Sequence, residues 1–223
     1  MNITVLNGSP KRETSVTMQY VLYLQKTCPQ HDLQIVHVAP RINALEWNVE
    51  AFQDVIDQVR ETDGVLWAFP LYYLLVHGNY KRFIELIWER DVADAFAGKH
   101  AAALSTSIHY FDHTAHNYIH AISDDLGMRF TGSFSADMQD LFDEAQRAKL
   151  TAFAEQFFMA IAQDLPMPRR YAPIVPTEVV AYTPGPVAHP VSLGGKRVVV
   201  VTDSVTDAKP QQTNLTHMIE RFT

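Results

Sequence analysis

Short apolar runs alternate with amphipathic stretches from residue 3 to residue 163, and this alternation constrains the fold more than any other feature of the chain. Residues 65–69 and 101–104 are apolar at every position, as expected for strands that are buried on both faces of a sheet. Residues 49–61 instead repeat their apolar positions at helical spacing, so they form one apolar stripe.

The same criteria predict strands and helices in strict alternation. The predicted strands are residues 3–6, 33–38, 64–69, 100–105 and 129–135. The predicted helices are residues 15–26, 49–61, 78–89, 114–126 and 143–163. Repeated strand–helix units of this kind predict an α/β protein with a doubly wound, five-stranded parallel sheet and helices on both of its faces.

The first strand ends in a turn that is rich in small and hydroxyl-bearing residues, Asn-Gly-Ser-Pro-Lys-Arg-Glu-Thr-Ser over residues 7–15. Such a turn exposes backbone N–H groups, and the start of the following helix adds partial positive charge. The hydroxyls of Ser9 and Ser15 can donate hydrogen bonds, and Lys11 supplies a full charge. The turn therefore predicts a phosphate site, although it is also compatible with a plain turn followed by an N-cap at Ser15.

Two common phosphate-binding loops are excluded by their glycine patterns. The dinucleotide fingerprint requires Gly-x-Gly-x-x-Gly, but only Gly8 is present in this turn. The nucleoside-triphosphate loop requires Gly-x-x-x-x-Gly-Lys-Ser/Thr, and the chain contains no such string. A hydroxyl-rich loop with few glycines suits a single terminal phosphate better than a pyrophosphate.

A second motif follows the third predicted strand, where Phe-Pro-Leu-Tyr-Tyr occupies residues 69–73 and Lys81, Phe83 and Ile84 lie in the next helix. Together with the first turn, this motif resembles the flavodoxin-like NAD(P)H-dependent FMN reductase family over residues 1–163. In that family a Gly-Ser-Pro-Arg/Lys loop holds the FMN phosphate, and a Pro-x-Tyr loop lies along the flavin. The resemblance implies the strand order 2-1-3-4-5, FMN as the cofactor and NAD(P)H as the electron donor.

The resemblance also assigns roles to residues of both loops. It implies that Ser9, Lys11 and Ser15 bind the FMN phosphate, and that the flavin ring lies against residues 70–72, which are Pro70, Leu71 and Tyr72. Tyr72 and Tyr73 both offer a flat apolar surface for a ring system. The alternative for one of these two tyrosines is a role in the core or at an interface between subunits.

The loop after the fourth predicted strand departs from the family pattern, because residues 105–113 contain no glycine and are rich in hydroxyl, histidine and aromatic side chains. By position we expect Thr106, Ser107 and His109 to be flavin neighbours. His109 and Tyr110 are the candidate catalytic residues, since either can donate a proton to flavin or to a substrate oxygen. This difference from the family pattern bears on the shape of the substrate pocket more than on the fold.

Histidines in the following helix raise the alternative of a metal site. His113, His116 and His120 have a spacing that can place three imidazoles on one helix face. A zinc site also needs a fourth ligand or an open position with a purpose, and the sequence indicates neither. We therefore expect no metal, and an exposed helix near the mouth of the active site.

The C-terminal part of the chain has a different composition. Residues 165–193 are punctuated by prolines and predict a linker or a strap, with a possible short strand at 178–182. Residues 198–201 give the strongest strand signal in the chain, and a helical pattern covers residues 213–222.

These patterns predict a domain organisation in which an FMN-binding domain at 1–164 is followed by the linker at 165–193. An extra strand–helix unit then covers 194–223. This unit repeats the order of the first strand and helix, so it is the expected start of a second flavodoxin-like domain in a longer protein. The alternative is an appended strand and helix that pack on the first domain or on a partner subunit.

Charge and hydropathy limit the partners of the chain. The formal net charge is -7 and the basic residues are scattered, which argues against nucleic acid or an anionic membrane surface as a partner. No apolar run approaches the roughly 20 residues that span a bilayer, and no secretory signal is recognisable at the N-terminus. A cytoplasmic protein is expected, and the resemblance implies a homodimer.

The function expected from these features is FMN-dependent oxidation of NAD(P)H, with electrons passed to a small acceptor. A quinone, a nitro- or azo-aromatic compound or free flavin would serve as that acceptor. Two alternatives remain at this point. One is an electron-transfer domain that serves a redox partner protein or a second domain, and the other is a binding module that keeps the fold without flavin.

Overall fold

The computed structural model describes residues 1–173, 175, 181–183, 185–186, 189, 194–201 and 210–222. The chain divides into two compact units, Met1–Pro173 and Ile174–Thr223. Among the residues that the structure describes, no helix has both the length and the apolar character needed to cross a membrane.

The first unit contains a five-stranded sheet in which all neighbouring strands are parallel. The strands are β1 (Asn2–Asn7), β2 (Asp32–His37), β3 (Gly64–Pro70), β4 (His100–Thr106) and β5 (Arg129–Ala136). Their order is β2-β1-β3-β4-β5. This confirms the predicted doubly wound fold and the strand order that the family resemblance implies.

The helices of the first unit are α1 (Val16–Thr27), α2 (Ile42–Trp47), α3 (Val49–Glu61), α4 (Gly78–Glu89), α5 (Asp112–Asp125) and α6 (Glu144–Ala162). Apolar side chains of α3, α4 and α5 pack against one face of the sheet, whereas those of α1 and α6 pack against the other. Successive residues of a strand point to opposite faces, so Trp67 and Leu66 belong to different core clusters. This explains why residues 65–69 of β3 and 101–104 of β4 are apolar at every position.

Several predicted boundaries differ from those in the structure. The helix predicted at 114–126 begins earlier, at Asp112, and its N-cap position is Phe111 in the left-handed conformation. The short helix α2 was not predicted, because its six residues are too few to show a helical period. The helix predicted at 143–163 is α6, whose N-cap Asp143 accepts a hydrogen bond from the backbone N–H of Gln146.

Residues 165–173 belong to the first unit. The Asp124 carboxylate, near the end of α5, accepts hydrogen bonds from the backbone N–H groups of Arg170 and Tyr171, both at 2.9 Å. The guanidinium of Arg169 also donates to the Asp124 carbonyl oxygen at 2.6 Å and pairs with Asp125. These bonds explain why the unit extends past residue 164; the division at 164 and 193 stays a prediction.

The second unit contains one described helix, α7 (Pro210–Phe222), which overlaps the helical pattern predicted at 213–222. The Asn214 side chain accepts a hydrogen bond from the Tyr182 backbone N–H at 2.6 Å, and His217 Nδ1 lies 3.0 Å from the Tyr182 carbonyl oxygen. The strand predicted at 198–201 was wrong, because these residues form no strand and their side chains are exposed. A strand requires a hydrogen-bonded neighbour, which apolar composition alone does not supply. The possible strand at 178–182 lies largely outside the described residues.

Candidate functional site

The loops that follow β1, β3, β4 and β5 meet at the carboxyl edge of the sheet. Strand pairing sets Asn7 opposite Ala68, Pro70 opposite Thr106, and Thr106 opposite Ala136. The strand order reverses between β1 and β3, and doubly wound sheets bind their ligands at such a switch point. A cavity of about 430 Å³ opens between these loops, and its size is typical of small-molecule sites.

The loop after β1 is shaped by its own side chains. The Asn7 side-chain oxygen accepts a hydrogen bond from the backbone N–H of Ser9 at 2.8 Å, and Ser9 Oγ accepts one from the backbone N–H of Lys11 at 3.3 Å. Ser15 is the N-cap of α1, and its Oγ accepts a hydrogen bond from the backbone N–H of Met18 at 3.2 Å. The loop therefore carries its hydroxyls to the positive end of the α1 dipole.

A chain of side-chain hydrogen bonds ties this loop to the end of β2. Because the oxygen of Asn7 accepts from Ser9, its amide nitrogen donates to His37 Nδ1, at 2.7 Å. His37 then carries its proton on Nε2, which lies 2.7 Å from the Glu13 carboxylate. A backbone hydrogen bond and the bond from His37 lower the pKa of Glu13 below its usual value. This chain fixes the orientation of the Asn7 amide.

The loop after β3 makes a tight turn beside the cavity. The backbone N–H of Leu71 donates to the Thr106 carbonyl oxygen at 2.9 Å, and Tyr72 and Leu75 exchange two backbone hydrogen bonds. Tyr73 and Leu74 occupy the left-handed region, with φ of 41° and 73°. This turn exposes 96% of Tyr73, whereas Tyr72 is 42% exposed and packs its ring edge-on against His77 at 4.8 Å.

The end of β4 and the loop after it are joined to the end of β5 and to α1. The Ser107 backbone N–H donates to the Ala136 carbonyl oxygen at 2.9 Å, and the buried hydroxyls of Thr106 and Thr17 lie 2.6 Å apart. Tyr110 lines the cavity. The His109 imidazole turns instead towards two carboxylates, with Nδ1 3.3 Å from Asp112 and Nε2 4.0 Å from Asp140.

The histidines of α5 have separate partners. His116 Nε2 lies 2.7 Å from the Ser105 hydroxyl, and burial lowers the pKa of the His116 imidazole. His120 stacks on Phe130 at 4.3 Å, and burial lowers the pKa of His120 as well. In the described part of the chain, no group of three or more His, Cys, Asp or Glu side chains is arranged to hold a metal ion.

Nearly all of the predicted site residues line one cavity. The phosphate candidates Ser9, Lys11 and Ser15 lie in its wall together with the ring candidates, residues 70–73, and with Thr106, Ser107 and Tyr110. His109 is not one of the lining residues, and its predicted contact with flavin stays a prediction.

Sequence reasoning missed five lining residues, which are Thr14, Val16, Leu74, Ile108 and Met138. The first four are neighbours in sequence of predicted residues, so the motifs themselves could have indicated them. Met138 follows β5, where no motif marks the chain. Only the parallel pairing of β5 with β4 brings it to the cavity.

The cavity combines two chemistries. The hydroxyls of Ser9 and Ser15 and the ammonium of Lys11 lie on the loop after β1, and such a donor set with one full positive charge suits a phosphate group. Flat and apolar side chains come from the other loops, including Leu71 and Tyr72. The residues present thus fit a ligand that carries one phosphate and an aromatic ring system, as FMN does.

Comparisons with known proteins agree with this chemistry. A protein-family model described as NADPH-dependent FMN reductase matches residues 1–140. No curated protein sequence matches the chain.

Solved structures with the same fold include three that their descriptions connect with flavins. An apo NADH:FMN oxidoreductase (EMOB) is 20% identical, with a TM-score of 0.58 over 71% of this chain and 89% of that chain. RosB with a bound formylriboflavin phosphate intermediate is 13% identical, with a TM-score of 0.58 over 90% of this chain and 100% of that chain. An FMN-dependent NADH-azoreductase from Bacillus anthracis in complex with FMN is 11% identical, with a TM-score of 0.51 over 73% of this chain and 98% of that chain.

At these identities the solved structures establish the fold, while the family-model match covers all five strands and all residues that line the cavity. This chain belongs to the NADPH-dependent FMN reductase family, and it is an NAD(P)H-dependent oxidoreductase with FMN as its cofactor.

Proposed function

We propose that this enzyme passes electrons from NAD(P)H through bound FMN to a small aromatic acceptor, such as a quinone, a nitro- or azo-aromatic compound or free flavin. The observation that carries the proposal is the composition of the cavity at the carboxyl edge, which combines phosphate-binding donors with flat apolar side chains. Its apolar rim is exposed, including Tyr73, Ile108 and Met138, and can receive a second flat molecule.

In this proposal the loop after β1 holds the phosphate of FMN. Lys11 supplies the opposite charge, and the hydroxyls of Ser9 and Ser15 supply hydrogen bonds at the start of α1. The ring system lies against residues 70–73, with Thr106 and Ser107 beside it. FMN, when bound, supplies the hydride and electron chemistry, and these residues bind it, orient it and exclude water from it.

Two residues of the loop after β4 are the candidates for handling a proton. Tyr110 lines the cavity. A substrate that enters the cavity would bring its oxygen towards this loop, where the Tyr110 hydroxyl could donate a proton to it. His109 stands next to Tyr110 in sequence, and its imidazole faces Asp112 and Asp140. We propose Tyr110 and His109 as the catalytic residues. The variants Tyr110→Phe and His109→Gln test which of the two donates the proton.

The proposal is tested with purified protein that has been mixed with FMN and freed of excess. We expect a flavin absorbance spectrum, followed by acceptor-dependent oxidation of NADH or NADPH with a naphthoquinone, a nitroaromatic compound, an azo dye or riboflavin. Bound FMN without acceptor-dependent turnover would contradict the proposed acceptor class. A protein that stays colourless after exposure to FMN would contradict the cofactor site as well and favour a flavin-less binding module.

The same experiment distinguishes the proposed enzyme from an electron-transfer domain. An electron-transfer domain would retain FMN but would accept electrons from NAD(P)H slowly, and a protein partner would reoxidise it faster than any of the small acceptors. Fast anaerobic reduction by NADPH or NADH, followed by fast reoxidation by a small acceptor, would exclude that alternative.

We also propose that the enzyme is a homodimer. Exposed apolar side chains support this, among them Phe142 at 87% exposure and Met138, which lines the cavity, at 62%. Sedimentation-velocity measurements test the proposal, since a species with the mass of one 25.3 kDa chain at micromolar concentration would contradict it.

A further inference from the structure

The Asp112 carboxylate collects three hydrogen-bond donors from two different segments. Its Oδ1 accepts a bond from the Ser107 hydroxyl at 2.6 Å, and its Oδ2 accepts one from the Ser135 hydroxyl and lies 3.3 Å from His109 Nδ1. Ser107 and His109 belong to the loop after β4, while Ser135 belongs to β5. One carboxylate thus connects the loop to the neighbouring strand.

A further hydrogen bond within the loop connects the His109 backbone to Ser107. The backbone N–H of His109 donates to Ser107 Oγ at 2.8 Å, and the Ser107 hydroxyl in turn donates to Asp112. The proton of that hydroxyl is therefore committed to the carboxylate, so Ser107 Oγ offers only acceptor capacity to the cavity that it lines.

This loop adopts a conformation that normally favours glycine. His109 and Phe111 have φ of 58° and 57°, in the left-handed region that non-glycine residues rarely occupy. Residues 105–113 contain no glycine, so the conformation must be held by surrounding interactions. Asp112 directly follows Phe111 and is the first residue of α5. The bonds that converge on Asp112 therefore lie where the left-handed segment joins the helix.

Asp112 is suited to this role by its charge and position. Burial by itself raises the pKa of the Asp112 carboxyl, but the hydrogen bonds from Ser107, Ser135 and His109 together lower the pKa below its ordinary value. The carboxylate is therefore ionised at neutral pH, and it lies in the first turn of α5, where negative charge is favoured by the helix dipole.

We propose that Asp112 is a positioning residue that holds the glycine-free loop after β4 against the flavin site. It acts through Ser107, whose hydroxyl it orients, and through the backbone of residues 107–111. The loop thereby presents Ser107, Ile108 and Tyr110 to the cavity. The expected contribution to FMN binding rests on the proposed function, whereas the ordering of the loop does not.

The first test measures hydrogen exchange in the FMN-free protein, with Asp112→Asn as the variant. Asparagine has the same shape but replaces an acceptor oxygen with a donor, so it cannot accept all three bonds. We expect backbone amides of residues 107–111 to exchange about tenfold faster in the variant, as for a local opening that has lost about 1.4 kcal/mol. Unchanged exchange in this segment would overturn the proposal.

The control for this test is Asp143→Asn. Asp143 is also an aspartate at the start of a helix, where it caps α6 and accepts a hydrogen bond from the Gln146 backbone N–H, but it does not line the cavity. We expect it to leave exchange at 107–111 and FMN affinity unchanged. Asp112→Glu keeps the charge, so it should retain part of the protection of amides 107–111 against hydrogen exchange that Asp112→Asn loses. If any substitution at this position disturbed the loop, the glutamate variant would lose as much protection as the asparagine variant.

The second test measures the FMN dissociation constant by fluorescence titration. We expect Asp112→Asn to raise it about tenfold, and the double variant Asp112→Asn/Ser107→Ala to be no weaker than Asp112→Asn alone. Additive losses would contradict the route through Ser107. If the wild-type protein binds no FMN, the proposed function fails, while the exchange test still decides the role of Asp112.

If Asp112→Asn does not fold, the double variant Ser107→Ala/Ser135→Ala removes two of the three donors and keeps the carboxylate. Faster exchange at residues 107–111 in that variant would support the proposal. Exchange at the wild-type rate would overturn it, because the loop would then be ordered without these bonds.

Discussion

Gly8 lies so close to the ring of Tyr80 that a methyl group on its α-carbon would be 2.6 Å from two ring carbons. Tyr80 cannot easily move away, because it is fully buried and its hydroxyl donates to the Leu6 carbonyl oxygen at 2.7 Å. Helix α4 therefore packs against the start of the loop after β1, and this close approach requires glycine at position 8.

The variant Gly8→Ala should lose stability for this reason. Overpacking against a ring that cannot move costs about 1–3 kcal/mol, and each kcal/mol lowers the Tm of a chain of this size by about 2–4 °C. Gly78→Ala is the matched control, since a methyl group there meets nothing within 4 Å. Thermal unfolding followed by circular dichroism checks both; equal Tm values for the two variants would contradict the steric argument.

The variant Lys11→Gln should weaken FMN binding without changing stability, because the side chain is exposed and, in the proposed function, supplies charge to the phosphate. The loss of a charge-assisted hydrogen bond, about 1.5–3 kcal/mol, corresponds to a dissociation constant at least about tenfold higher. Riboflavin, which lacks the phosphate, should bind both proteins equally. Lys26→Gln, at the other end of α1, is the control; equal losses for FMN and riboflavin would argue against a phosphate contact.

Variants of the two catalytic candidates should separate their roles. Tyr110→Phe removes only a hydroxyl, so we expect FMN affinity to stay unchanged while kcat with a quinone falls about 100-fold, the lower range for a general acid. Tyr23→Phe on α1 is the control. If kcat falls in His109→Gln and not in Tyr110→Phe, the proton comes from His109 instead.

The variant Asp124→Ala should release residues 165–173 from α5. Asp124 is buried, and its loss leaves the N–H groups of Arg170 and Tyr171 without their carboxylate acceptor, at a cost of about 1–3 kcal/mol. Urea unfolding measures the loss, and trypsin should cleave after Arg169 or Arg170 faster than in the wild type. The exposed Asp54→Asn on α3 is the control, and an unchanged cleavage rate in Asp124→Ala would contradict the prediction.

Acid should destabilise the protein partly through His116. Burial lowers the pKa of His116 in the folded state below its ordinary value of 6.5, so the unfolded state binds the proton more readily. Its stabilising contribution is complete above pH 6.5 and is lost as the pH falls through the folded-state pKa.

Thermal unfolding between about pH 8 and about pH 5 tests this linkage. We expect His116→Gln, which can still bond to Ser105, to lose less Tm over this range than the wild type. The exposed His113→Gln is the control and should keep the wild-type slope. A slope in His116→Gln equal to that of the wild type would assign the acid sensitivity to other groups.

The local sequence determined the elements of the sheet and two of the loops at its edge. Strands buried on both faces of a sheet have continuous apolar runs, and residues 65–69 and 101–104 form such runs, so the strands at 64–69 and 100–105 were recognisable without knowledge of their neighbours. The turn at residues 7–15 and the Pro-x-Tyr motif at 70–72 carry their chemistry within a few consecutive residues. The resemblance of these segments to the FMN reductase family could therefore be recognised, because their spacing and their place after a strand are local properties.

The tertiary structure decided what depends on contacts between distant residues. Residues 198–201 have strong strand propensity, but they form no strand in the described part of the chain. Met138 reaches the cavity only through the pairing of β5 with β4, and Asp124 finds its donors 46 and 47 positions away. Contacts of this kind produce no periodic pattern in the sequence. They join residues that are far apart along the chain and become neighbours only when the sheet and its helices have assembled.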